Sequence, residues 1–95
     1  MFKDLDPLLH SQLRLSIVSI LMTVEETNFN FIKEATNAAA GNISIQIKKL
    51  QEAGYIKVEK SFKNNYPNTS VTITRKGIKA FEDYVNNLKK YIDPK

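Results

Sequence analysis

The sequence predicts one α+β domain, mostly α, in which a two-stranded β-hairpin is flanked by N- and C-terminal helices. Three observations carry that expectation. Apolar residues keep a helical period through 43–50 and stop before Gly54. Two alternating runs, Tyr55 to Phe62 and Ser70 to Thr74, stand on either side of a stretch of turn formers. Helical patterns then fill the chain before and after these segments. Ninety-five residues, 42% of them hydrophobic, close one modest core, so residues 1–95 are expected to form a single domain without a separate lid.

The first helix has two candidate starts. Asp6-Pro7 offers a capping carboxylate and a preset φ, and Ser11 offers a second cap. Leu13, Ile17, Ile20, Leu21 and Val24 form one stripe, and Leu15, Val18 and Met22 form another on a different side. Two apolar faces call for two partners: the domain wraps both, or the second face meets another subunit. After Glu25-Glu26-Thr27-Asn28 and a short link at Phe29-Asn30, a two-turn helix is expected over Phe31 to Thr36, with Asn30 as its cap. Asn37 and Ala38 make a tight corner, which gives this helix and the next the spacing of a helix-turn-helix.

The next helix, about 40–53, has a rival reading as a strand, since Ile43, Ile45 and Ile47 alternate with polar residues. Lys48-Lys49 breaks that alternation, Leu50 and Ala53 extend the helical spacing, and Gly54 stands where a helix-terminating glycine belongs. As a helix, it turns Ile43, Ile47 and Leu50 inward. Gly41, Asn42, Ile45, Lys48, Lys49 and Glu52 then lie on the other side, with Ser44 at the flank. Beyond Gly54, Ile56 and Val58 alternate with charges in a strand wet on one face, and 70–74 is its antiparallel mate. Residues 63–69 are expected to form a protruding loop. Thr74 caps a last helix, about 75–92, carrying Ile78, Phe81, Val85, Leu88 and Ile92 with Tyr84 and Tyr91 beside them.

Gly41-Asn42-Ile43-Ser44 opens one helix, Leu50-Gln51-Glu52-Ala53-Gly54-Tyr55-Ile56 closes it, and Ile73-Thr74-Arg75-Lys76-Gly77 starts the next. In these motifs the chain, from about Leu13 to Phe81, resembles the small winged helix-turn-helix transcriptional regulators related to the MarR and ArsR families. The resemblance implies a dimeric regulator of duplex DNA, with residues 40–53 as its recognition helix and the hairpin as its wing. Two positions depart from the pattern. Ala39 stands where such proteins often cap the recognition helix with serine or threonine, and Gln46 stands where a histidine is frequent.

Charge agrees with a phosphate-bearing partner: 14 basic residues against 10 acidic give +4, with a pI near 9.4. On the recognition helix, Asn42, Ser44, Lys48 and Lys49 supply donors to bases or phosphates, and Ile45 either touches a thymine methyl or is an ordinary exposed apolar side chain. The two lysines suit phosphates better than bases, being flexible point charges. Lys60, Lys63, Asn64 and Asn65 are the wing's candidates for the backbone or minor groove, although Lys60 also suits the solvated face of an edge strand. Arg75 and Lys76 oppose the dipole of the last helix and want an anion nearby, either a phosphate or a carboxylate such as Glu59 or Glu82. The expected homodimer surface comprises Leu15, Val18 and Met22 of the first helix with Phe81, Tyr84, Leu88, Tyr91 and Ile92 of the last.

Other chemistries find little support. With no cysteine and only His10, neither thiolate nor histidine metal sites can be assembled, and no cofactor is expected. Glu25-Glu26 and Glu82-Asp83 are adjacent carboxylates without a nucleophile or phosphate loop, so an enzyme is not expected. The stretch from Leu13 to Val24 is short and interrupted by polar residues, and Asp4 and Asp6 replace a basic leader, so no membrane association and a cytoplasmic location are expected. The rival function of a different class is a protein-interaction adaptor that reuses the same fold.

Overall fold

Asp6-Pro7 forms a closed turn and not the start of a helix. The Asp6 carboxylate accepts from the Leu8 N–H at 2.9 Å and from the Tyr55 hydroxyl at 2.5 Å, and its carbonyl accepts from the His10 N–H at 2.9 Å. Leu9, fully buried, pins this turn to the core. The structure, a computed structural model, describes residues 2–93. Its elements run α1 (Gln12–Val24), β1 (Glu26–Asn28), α2 (Phe29–Thr36), α3 (Ala40–Glu52), β2 (Ile56–Lys63), β3 (Tyr66–Ile73) and α4 (Arg75–Ile92).

The short strand β1 was not expected. It pairs antiparallel with β3 in the register Glu26↔Thr72, Thr27↔Val71 and Asn28↔Ser70, so the sheet has three strands in the order β1-β3-β2. Asn28, its last residue, caps α2 by accepting from the Phe31 N–H at 2.8 Å, and the helix therefore begins at Phe29. Asn30, the expected cap, lies inside the helix. Asn37 then turns the chain with a left-handed φ of 55°, within the range that asparagine tolerates.

The wing is longer and tighter than expected. β2 and β3 stay paired from Ile56↔Ile73 out to Lys63↔Tyr66, so only Asn64 and Asn65 remain as a turn, with φ of 54° and 66°. A two-residue hairpin with both central residues at positive φ matches the right-handed strand twist, and asparagine is among the residues that adopt it. The loop expected over 63–69 is thus mostly strand.

The core joins Ile17, Val18 and Leu21 of α1 to Ile32 of α2, to Ile43, Ile47 and Leu50 of α3, and to Ile56, Val71 and Tyr84. Each such aliphatic side chain contributes about 1.5–3 kcal/mol on full burial. The two motifs around Gly54 and Gly77 lock α3, β2 and α4 together. Gly54, at φ 81°, ends α3: its N–H donates to the Gln51 carbonyl at 2.9 Å, and the Tyr55 N–H donates to the Leu50 carbonyl at 3.0 Å. The Thr74 hydroxyl donates to the Gly54 carbonyl at 2.6 Å and accepts from the Gly77 N–H at 3.0 Å, while the Thr74 N–H donates to the Tyr55 carbonyl at 3.0 Å. Gly77 lies so close to that carbonyl that a β-carbon there would sit 2.2 Å from it.

Candidate nucleic-acid interface

The outer face of α3 carries the polar groups that the sequence assigns to it. Ile43, Ile47 and Leu50 are buried, and Asn42, Ser44, Lys48 and Lys49 are exposed. Ile45, 55% exposed, stands among them. Ala39 occupies the cap position in extended conformation and gives no side-chain bond, so the first-turn N–H groups are left to other acceptors.

A side-chain relay holds this face from beneath. Arg14, on α1, donates from Nε to the Leu8 carbonyl at 2.6 Å and from a terminal nitrogen to Gln46 Oε1 at 2.6 Å. Gln46 Nε2 donates in turn to Asn42 Oδ1 at 2.9 Å. Neither Arg14 nor Gln46 was among the expected site residues. Their signals were an arginine interrupting an apolar helix and a glutamine at a position where the resembling proteins often carry histidine.

On the wing, register divides the residues between two faces. Lys60 and Phe62 share a face with the core residues Ile56 and Val58, opposite Thr69 and Pro67, whereas Lys63 and Tyr66 share the other. Asn64 and Asn65 form the tip. Phe62 and Tyr66 are 79% and 74% exposed, the most open aromatic rings among the described residues. A cleft of about 500 Å³ separates α3 from the wing, lined by Phe29, Ser44, Ile47, Lys48, Gln51, Val58, Lys60 and Thr69. The cleft brings Ser44, Lys48 and Lys60 together and leaves Lys49 and Lys63 outside its lining.

Charge is unbalanced on this side. Among the described residues the ion pairs are Lys57 with Glu59 and Lys79 with Asp83, so Lys48, Lys49, Lys60 and Lys63 have no carboxylate at ion-pair distance. Glu59 is thereby committed to Lys57, and Arg75 and Lys76 gain no ion pair from it. Lys76 instead lies over the Tyr55 ring, 5.8 Å from its centroid. Burial first, then the hydrogen bond and charge of Asp6, push the Tyr55 phenol up to about 12.

The residues expected at a dimer surface divide. Val18 and Tyr84 are buried in the chain's own core, and Tyr84 Oη meets His10 Nδ1 at 3.0 Å, which corrects their place in a subunit interface. Leu15, Met22, Phe81 and Leu88 are half-buried. Tyr91 donates to the Lys3 carbonyl at 2.8 Å and packs on Phe2, and Ile92 is 75% exposed. An open cleft of about 440 Å³ runs between Met22 of α1 and Phe81 and Val85 of α4. Among the described residues, no helix is long and apolar enough to cross a membrane.

Known proteins share this fold. A model of the winged helix DNA-binding domain matches residues 13–92. An uncharacterized protein of Methanocaldococcus jannaschii is 36% identical over 76 residues, covering 80% of this chain and 83% of that protein. A transcriptional regulator homologue of Pyrococcus horikoshii superposes with a TM-score of 0.86 at 28% identity, over 92% of this chain and 86% of that one. A mutant of the Escherichia coli regulator MarR, solved with operator DNA, shares the fold at a TM-score of 0.71 and 14% identity, over 88% of this chain and 59% of that one. With its fold, its hairpin wing and a family match over 80 of 95 residues, the chain belongs to the winged helix DNA-binding domain family.

Proposed function

We propose that the protein is a sequence-specific regulator of transcription that binds duplex DNA as a homodimer, with α3 in the major groove and the wing on the backbone or minor groove. The observation that carries this reading is the set of unneutralised lysines around α3 and the wing, surrounding polar side chains and one exposed isoleucine. Lys48, Lys49 and Lys60 meet phosphates and set affinity. The uncapped first turn of α3 offers backbone N–H groups to a phosphate. Asn42, Ser44 and Ile45 face base edges, Ile45 against a thymine methyl, and Lys63, Asn64 and Asn65 extend the contact at the wing tip.

A homodimer doubles the interface of one small module and sets the spacing of two half-sites. The surface that supports it is α1 with α4, where Leu15, Met22, Phe81, Leu88, Tyr91 and Ile92 leave apolar area open. The protein acts in the cytoplasm and without a catalytic step.

Titration of a labelled random-sequence duplex at two salt concentrations, followed by anisotropy, tests the reading. Binding that weakens steeply with salt is the expected result, since phosphate contacts release counterions. No binding at low salt would instead favour the protein-interaction adaptor.

A further inference from the structure

We propose that Arg14 and Gln46 set the hydrogen-bond polarity of Asn42, so that it offers N–H donors to the groove and selects guanine. This specificity device rests on the DNA-reading function proposed above. A guanidinium has donors only, so the Gln46 oxygen must face Arg14 and its NH₂ group must point away. That NH₂ group donates to Asn42 Oδ1, which directs the Asn42 carbonyl along α3 and leaves its own NH₂ group, on the exposed face, without a partner among the described residues. Amide orientation is thus dictated from the part-buried end of the relay: the Leu8 carbonyl holds Arg14, Arg14 orients Gln46, and Gln46 orients Asn42.

The consequence is a choice of base. Asparagine reads adenine by accepting from N6 while donating to N7, which needs its carbonyl turned to the base edge. With the carbonyl turned towards Gln46, the outward donors match the O6 and N7 acceptors of guanine and oppose the N6 donor of adenine. Asn42 lies in the first turn of α3, the part of a recognition helix that reaches base edges. Gln46→Glu reverses the device: one carboxylate oxygen accepts from Arg14, the other accepts from the Asn42 NH₂ group, and the Asn42 carbonyl turns outward.

The test is selection and sequencing of duplexes bound from a randomised pool by the wild type, Asn42→Ala and Gln46→Glu. The expected result is guanine at one position of each half-site, preferred about fivefold by the wild type. Asn42→Ala should lose that preference, and Gln46→Glu should move it to cytosine or adenine. Salt-dependent binding with the same preference in all three proteins would overturn the relay and leave the DNA-reading function standing. Failure of the wild type to bind the pool at low salt would overturn both. An NMR measurement on the free protein reads the relay without DNA. The Gln46 side-chain NH₂ protons should exchange slowly and those of Asn42 quickly, with Asn42 slowed in Gln46→Glu; equal exchange of the two amides in the wild type would contradict it.

Discussion

Single residues carry sharp constraints at the junction of α3, β2 and α4. Gly77→Ala places a β-carbon against the Tyr55 carbonyl, so α4 must move off β2; a loss of about 1–3 kcal/mol is expected in urea denaturation. Ala39→Ser adds the missing cap at a residue already in extended conformation, with a gain of about 1 kcal/mol expected in the same assay. Tyr55 makes stability fall at high pH. Its folded pKa, about 12, lies above the ordinary value of 10.0, so its contribution is complete below pH 10 and is lost as pH rises towards 12. Tyr55→Phe should flatten that stretch of the stability curve, and parallel curves for the two proteins would contradict the upward shift that burial and Asp6 impose on Tyr55. At this scale the sequence was informative where one residue acts on its neighbours: Thr74 caps as expected, and Gly54 ends α3. It misled where two residues competed for one role. Asn28 caps α2 although Asn30 looked equally suitable, because β1 delivers Asn28 to the helix start in extended conformation.

Among the elements, α3 was legible and the sheet less so. Helical period, a basic pair that broke the strand alternation and a terminal glycine together outweighed the isoleucine alternation in 43–47. β1 carries no such signal, since Glu26, Thr27 and Asn28 are polar or solvated and are held through backbone pairing with a distant strand. The wing loop shrank for a related reason. Turn-forming residues fill 63–69, yet Asn64-Asn65 alone reverses the chain and the rest pairs. Asn64→Val should therefore fray the wing tip, because a β-branched residue resists positive φ, while the core stays folded. Hydrogen exchange is expected to accelerate at Lys63 and Tyr66 and to remain unchanged at Val71.

For the whole molecule, the family fold and the exposed basic face of α3 could be inferred from the chain, whereas the division between core and open apolar surface could not. Val18 and Tyr84 were expected at a dimer surface, but both are buried in the chain's own core, and the Tyr84 hydroxyl meets His10 just beyond the turn at Pro7 to Leu9. The apolar surface left on α1 and α4 motivates the homodimer, and light scattering at tens of micromolar should return twice the mass of 10.9 kDa. A mass equal to one chain would contradict it. The central claim, that α3 presents its lysines to DNA phosphates, is tested most directly by the salt dependence of duplex binding in Lys48→Ala/Lys49→Ala beside Lys89→Ala/Lys90→Ala. Removing two phosphate contacts should lower the slope of log affinity against log salt by about two in the α3 variant and leave the α4 variant like the wild type. Equal losses in both variants would mean that the lysines act through net charge alone, and would contradict the assignment of the reading face to α3.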